Sequence, residues 1–222
     1  MDIVVRGPEV HHIRNVMRKT LGEVLMLTDG RGHTYRARID SWNKTSIKVR
    51  VVDREFHEQE QQTDIACAFV PLKSTRSDFI IEKCTELGVS HFYTFVSRRA
   101  VVRRVSRARV EHFQRLARSA MLQSRRYYLP DITVCADTDQ LTKHFRGYDL
   151  VLCADAHGKK DIPCGAKKML YIVGPEGGFD DRELTLFKKH GVHFISLDDH
   201  RLRSETAAIV SAVKLFDQNK TL

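Results

Sequence analysis

The chain has 222 residues, enough for one large domain or a standard domain with a small companion. Its 37 Lys+Arg against 28 Asp+Glu leave a formal charge of +9, which points to an acidic partner, nucleic acid first. Apolar residues at 42% and charged ones at 29%, with 12 Gly and 5 Pro, exclude disorder, collagen and low complexity. No apolar run approaches the ~18 residues that cross a bilayer. The opening Met1-Asp2-Ile3-Val4-Val5-Arg6 lacks the basic-then-apolar order of a signal peptide, so a cytoplasmic protein without membrane association is expected. Cys67, Cys84, Cys135, Cys153 and Cys164 are odd in number and never spaced C-x-x-C, which predicts reduced, partly buried thiols and no metal site. No H-E-x-x-H and no G-x-S-x-G is present, so the familiar metalloprotease and serine-hydrolase patterns are missing.

In chain order, His11 to Arg18 predicts one helical turn or two, followed by the apolar run Val24-Leu25-Met26-Leu27. After the turn Asp29-Gly30-Arg31-Gly32, apolar Tyr35, Ala37 and Ile39 alternate with Arg36, Arg38 and Asp40, and Ile47, Val49 and Val51 alternate with Lys48 and Arg50. Period two with one polar face predicts half-buried antiparallel strands, here a small β-barrel. The polar run Glu55 to Gln62 reads as a linker, giving domains at 1–63 and 64–222. From Asp64 the pattern becomes strand, helix, strand, helix: a strand at Ile65 to Val70, a helix at Phe79 to Leu87 stopped by Gly88, and a strand at His91 to Val96. Val110, Phe113, Leu116, Ala117, Ala120 and Met121 share one helical face. Leu150 to Ala154 and Met169 to Val173 are nearly all apolar, as parallel strands buried on both sides should be. Asp180 with Glu183 spells a capping box and Gly191 ends that helix, ahead of a last helix at Ala207 to Phe216. This alternation predicts an α/β domain with a parallel sheet.

Two loops carry the strongest local signals. Val173-Gly174-Pro175-Glu176-Gly177-Gly178-Phe179 leaves a buried strand and enters a capped helix, where ligands of open α/β sheets bind; the pattern alone reads equally as a tight turn. It is neither a dinucleotide fingerprint nor a phosphate loop. The second, Leu197-Asp198-Asp199-His200-Arg201-Leu202-Arg203-Ser204-Glu205-Thr206-Ala207, joins the last strand to the last helix. By pattern its Asp198-Asp199-His200 is an exposed loop rather than a metal site. Between Arg98 and Arg126 lie ten arginines, at 98, 99, 103, 104, 107, 109, 115, 118, 125 and 126, against the single acid Glu111. Arginine forks grip phosphates and stack on bases, whereas a merely solvated face would mix both signs. Arg14, Arg18, Arg31, Arg36 and Arg38 extend the basic set into the first domain.

Gly174-Pro175-Glu176-Gly177-Gly178 spaced before Leu202-Arg203-Ser204-Glu205-Thr206-Ala207 resembles the knotted SPOUT methyltransferases, specifically the RsmE family, which methylates N3 of a uridine in 16S ribosomal RNA of the small subunit. The resemblance spans nearly the whole chain. Lys83-Cys84-Thr85-Glu86-Leu87-Gly88-Val89 is similar to that family's K-x-x-E-L-G-V segment, and Gln123-Ser124-Arg125-Arg126 with Pro130 to its Q-S-x-R and following proline. His12 to Arg18 with Gly22 and Asp29-Gly30 resembles its N-terminal RNA-binding barrel of PUA type. Two positions depart: Leu122 stands where the family has glutamate, and Leu197 to Arg203 replaces its L-G-x-R-I-L-R, with Asp198 at the glycine.

The resemblance implies a C-terminal trefoil knot, an exception to the rule against threaded chains, that binds S-adenosylmethionine in a bent form. Carried over residue by residue, the cofactor set is Leu152, Gly174, Glu176, Gly177, Leu197, Leu202, Arg203 and Thr206. It also implies a homodimer packed through the last helix. Uridine N3 becomes a nucleophile only on losing its proton. A positive group near O2 or O4 favours the anion and a carboxylate can take the proton. Arg203 and Glu205, beside the presumed pocket, are the expected pair; the alternative is that Glu205 caps the helix and Arg203 pairs with it. RNA contacts are expected from Arg14, Arg18, Arg31, Arg98, Arg99, Arg103, Arg104, Arg125 and Arg126. The competing readings are a knotted methyltransferase acting on another RNA or atom, and a non-catalytic RNA-binding or ribosome-assembly protein of the same fold, which need not bind the cofactor.

Overall fold

The structure, a computed structural model, describes residues 1–58 and 63–220. The chain divides into two compact units, Met1–Glu60 and Gln61–Leu222.

In the first unit, β1 (Asp2–Arg6), β2 (Val24–Thr28), β3 (His33–Trp42) and β4 (Ser46–Phe56) form one antiparallel sheet in the order β1-β4-β3-β2. Turn chemistry sets the registers. Asp29 Oδ1 accepts from the N–H groups of Arg31 (2.8 Å) and His33 (3.1 Å), with Gly30 at φ 68°. Asn43 Oδ1 does the same for Thr45 and Ser46 between β3 and β4. Helix α1 (Pro8–His11) runs into a π-helical turn, His12–Val16, and brings Val10 and Ile13 onto Leu25, Ala37, Ile39, Ile47 and Val49. β1 escaped the sequence reading because only Ile3 and Val5 turn inward. The expected linker begins too early: Glu55 and Phe56 still pair in β4 with Thr34 and His33, while Gln59 to Gln62 lie outside the described residues.

The second unit is a six-stranded parallel sheet in the order β10-β8-β9-β5-β6-β7, formed by β5 (Asp64–Phe69), β6 (His91–Phe95), β7 (Asp131–Cys135), β8 (Leu150–Lys159), β9 (Lys168–Val173) and β10 (His193–Ile195). Helices α2 (Arg76–Leu87), α3 (Arg107–Gln123) and α6 (Ser204–Lys220) share one apolar core with the sheet. The other core includes Leu141 of α4 (Thr138–Thr142) and Phe187 of α5 (Asp181–Lys189). Phe69 meets Phe92 and Phe113 edge-on at 6.4 and 6.2 Å, an aromatic arrangement that adds to burial of about 2 kcal/mol per ring.

Burial pushes the thiols of Cys67, Cys135 and Cys153 up, Cys135 to about 11. These cysteines are inert packing groups; Cys164 alone of the five is exposed.

One edge of this sheet holds a close backbone crossing. β8 runs to Lys159, where the pairing register to β10 slips so that Ile195 faces Lys159. A Cβ on Gly158 would lie 2.5 Å from the Ile195 backbone, so only glycine lets the two strands pass. Ser196 N–H then bonds Lys159 O at 2.8 Å. From that sheet edge the chain returns as α6 against α2, β5 and β9 at the centre.

Candidate active site

The carboxyl ends of β5, β9 and β10 face one side, where open α/β sheets bind ligands. The glycine loop after β9 is braced at every step. Gly174 has little room for a side chain, since a Cβ there would sit 3.0 Å from the Phe179 ring. Phe179 is held between Phe95 and Phe187, at 6.2 and 5.1 Å. Gly178 N–H closes a turn onto Pro175 O (2.9 Å) with φ 66° at Gly178. Asp180 caps α5 in the expected capping box. The buried Glu183 accepts from Asp180 N–H (3.1 Å), and also from Arg98 N–H (3.1 Å) and the Thr138 hydroxyl (2.7 Å). One carboxylate thus ties the glycine loop to the start of the arginine stretch.

Three arginines from separate segments converge on residues 176 and 177. Arg99 Nη1 donates to Gly177 O (3.1 Å), Arg201 Nη2 donates to Glu176 O, and Arg76 Nη2 pairs with Glu176 Oε1 at 2.5 Å. Arg76 Nη1 also lies 4.0 Å from Glu205 Oε2. That oxygen is buried and has no hydrogen-bond partner among the described residues. The sequence reading missed Arg76: its expected helix began at Phe79, whereas α2 starts at Arg76, with Ser77 Oγ accepting from Leu72 N–H (2.8 Å) at its first turn. A cation at the start of a helix, after the central strand of the sheet, was the available signal.

The loop after β10 supplies the other wall. Leu197 and Leu202 are half-buried against the core, and Lys214 Nζ donates to Leu197 O (2.7 Å). Asp198 is exposed and accepts from His200 N–H (2.8 Å), a bond that holds its carboxyl below the usual value. Its φ is not in the left-handed region, so an aspartate at the family's glycine points to solvent without strain. Leu122, the other departure, lies in the last turn of α3 at 49% exposure. Arg203 and Thr206 are exposed, and the Arg203 guanidinium has no partner among the described residues. The cation nearest Glu205 among the described residues is Arg76, at 4.0 Å. Leu152, expected at a strand end, lies inside β8, which continues to Lys159, and is fully buried in the core.

These residues fit a nucleoside cofactor. Backbone N–H groups of Glu176, Gly177, Leu202 and Arg203 are unpaired among the described residues, leaving donors free for a ligand's acceptors. Gly177 and Gly178 present bare backbone, with nothing within 4 Å of a Cβ on Gly178.

The arginine stretch splits into two groups. Arg98 reaches Asp180 (3.5 Å), Arg107 pairs with Glu111, and Arg109 pairs with Asp78 (2.8 Å) while donating to Ser74 O. Arg126, expected as an RNA contact, donates from its guanidinium to Glu86 O (2.7 Å) and Leu87 O (2.5 Å) at the end of α2. Arg103, Arg104, Arg115, Arg118 and Arg125 are exposed, with no side-chain partner among the described residues. Arg125 sits at φ 56° just past α3, a left-handed position where glycine is usual. In the first unit, Arg18 takes the same conformation (φ 53°) and Arg31 is exposed. Arg14 stacks 5.0 Å over Trp42 and donates to Asn43 O.

Comparison with known proteins agrees with this layout. The RNA methyltransferase domain family matches residues 59–215, and the RNA methyltransferase PUA domain matches residues 5–52. Ribosomal RNA small subunit methyltransferase E of Mycobacterium bovis is 30% identical over 94% of this chain and 83% of its own. The Bacillus subtilis enzyme of the same name is 25% identical over 98% and 91%. Among solved structures, a candidate methyltransferase from Legionella pneumophila with bound cofactor SAM superposes with a TM-score of 0.89 at 27% identity, covering 97% of this chain and 91% of that one. With a PUA domain ahead of a parallel sheet whose glycine loop and last-strand loop meet at its carboxyl edge, this chain belongs to the RNA methyltransferase domain family, as a ribosomal RNA small subunit methyltransferase E (RsmE) type protein.

Proposed function

We propose that the protein transfers a methyl group from S-adenosylmethionine to N3 of a uridine in 16S ribosomal RNA of the small subunit, with residues 1–63 as the PUA-like RNA-binding domain and 64–222 as the knotted methyltransferase domain. The observation that carries this reading is the meeting of unpaired backbone donors in both loops with the unpartnered Glu205 carboxylate oxygen.

Gly174, Glu176, Gly177, Leu197, Leu202, Arg203 and Thr206 hold the cofactor, chiefly through backbone groups. When bound, S-adenosylmethionine supplies an electrophilic methyl group. Glu205 Oε2, an acceptor with no donor among the described residues, takes the imino proton of the uridine. The unpaired guanidinium of Arg203 faces the negative charge that then spreads onto O2 or O4. Holding the base in line behind the methyl group accounts for the rest of the rate, since positioning converts an encounter into a unimolecular step.

RNA is gripped by Arg103, Arg104 and Arg125, with Arg98 and Arg99 at the rim of the cofactor loop and Arg14, Arg18 and Arg31 in the first unit. The protein works in the cytoplasm as a homodimer; exposed Phe79, Leu122 and Val213 on α2, α3 and α6 are apolar side chains a second copy would cover. A sedimentation mass of twice 25.6 kDa is expected.

The test is calorimetric titration with S-adenosylmethionine, together with RNA affinity at rising salt. One cofactor per chain and a steep salt dependence are expected. Absence of cofactor binding would overturn the enzyme in favour of an RNA-binding module.

A further inference from the structure

We infer that Arg76 is a positioning residue for methyl transfer, the strut that sets the glycine loop and the first turn of α6 at their working separation. The inference rests on the reading of this site as a methyltransferase pocket and extends it to a residue on a third element. Arg76 opens α2, directly after the loop that follows β5, the strand hydrogen-bonded to β9. Its guanidinium reaches Glu176 of the glycine loop at 2.5 Å and lies 4.0 Å from Glu205 of α6. The three segments are far apart in sequence, and α6 packs against both α2 and β9.

The placement runs against local preference. The positive end of a helix dipole disfavours a cation in the first turn, and α2 carries Arg76 there as its first residue. Such breaches of a local rule mark sites held for function. What holds the cation is the pair of carboxylates; without it, Glu176 and Glu205 would face each other across the pocket with only repulsion between them.

The 4.0 Å spacing to Glu205 is also informative. It is too long for a hydrogen bond, so Arg76 supplies charge to Glu205 without occupying its buried Oε2, which stays open as an acceptor. Glu205 is only 12% exposed at its side chain, against 31% for Arg76 and 39% for Glu176. Charge is thus delivered from the solvent side while the acceptor remains inside.

The experiment compares Arg76→Met, Arg76→Lys and the double variant Arg76→Met with Glu176→Gln in the full-length protein, reading cofactor affinity, kcat and the KM for RNA. Arg76→Met should lower kcat about tenfold and weaken S-adenosylmethionine binding about tenfold, as removal of a partly buried charge does, with the KM for RNA unchanged. Arg76→Lys, which keeps the charge, should recover kcat to within about threefold of wild type. The double variant, which removes the repulsion, should bind the cofactor more tightly than Arg76→Met does. A merely structural Arg76 would lower melting temperature without splitting kcat from the KM for RNA. Wild-type kcat and cofactor affinity in Arg76→Met would overturn the inference. Should Arg76→Met fail to fold, an Arg76→Lys variant that folds with kcat more than about tenfold below wild type would overturn it equally. If the unaltered protein binds no S-adenosylmethionine, the methyltransferase reading itself fails, an outcome distinct from either.

Discussion

The glycine loop and the arginine stretch meet at Arg98 and Arg99, yet they are built on opposite plans. In the loop, both carbonyls at Glu176 and Gly177 accept from arginines, the Glu176 carboxylate is paired, and Phe179 is locked between two rings. Beyond Ala100, by contrast, Arg103, Arg104, Arg115, Arg118 and Arg125 extend into solvent without partners among the described residues. A small cofactor demands a wall set in advance, since each displaced group costs affinity. A polyanion is better served by cations that surrender little on meeting phosphate. Arg98 and Arg99 next to the loop therefore brace it, Arg107, Arg109 and Arg126 pair within the fold, and Arg103, Arg104, Arg115, Arg118 and Arg125 are left free.

Substitutions in the two regions should consequently fail in different ways. The largest effect belongs to the reacting edge of the braced region: Glu205→Gln should lower kcat about a hundredfold while leaving cofactor affinity nearly intact, a split visible by combining single-turnover rates with calorimetry. Next, Gly174→Ala places a methyl group 3.0 Å from the Phe179 ring and should weaken S-adenosylmethionine binding about tenfold while costing about 1–3 kcal/mol of stability. In the open region, Arg103→Ala, Arg104→Ala and Arg118→Ala combined should leave cofactor binding alone and flatten the log–log salt dependence of RNA affinity by about 0.7 for each phosphate no longer neutralised. Arg126→Ala should do the reverse, costing about 1–2 kcal/mol of stability through the uncapped carbonyls of α2, with the salt slope unchanged. The smallest change sharpens the contrast most. Arg125→Gly relieves a left-handed arginine at φ 56° and should raise stability by about 1 kcal/mol while lowering RNA affinity, a trade that marks strain kept for binding.

The fold's regular parts were legible because local chemistry wrote them: the Asp180–Glu183 capping box, the Gly88 stop at φ 106°, and the alternation of β3 and β4 all stand where periodicity and turn rules place them. Short edge strands were not. β7 flanks the sheet with half-exposed residues and has no continuous apolar run of a central strand, and β10, shorter still, is marked in the sequence only as the last strand ahead of the 197–207 loop, without bounds. β8 misled for a related reason: its second half is polar because it leaves the core, yet it goes on pairing to Lys159, which moved Leu152 from the presumed strand end into the interior. In the site, the two loops could be named from their residues, since glycines and a polar strand end announce themselves. Arg76 could not, because what distinguishes it is the pair of carboxylates on two remote segments. Nor does any residue pattern separate Arg126, bound to the end of α2, from the free Arg125 beside it; only the fold assigns their guanidinium groups.

Incubation with methyl-labelled S-adenosylmethionine and unmodified small ribosomal subunits, followed by mass spectrometry of the nucleosides, tests the proposed reaction and its proton acceptor together, with naked 16S ribosomal RNA alongside and Glu205→Gln as control. Label in N3-methyluridine is expected with the unaltered protein, and about a hundredfold slower labelling with Glu205→Gln. Label in any other nucleoside, or equal rates for the two proteins, would contradict the proposal.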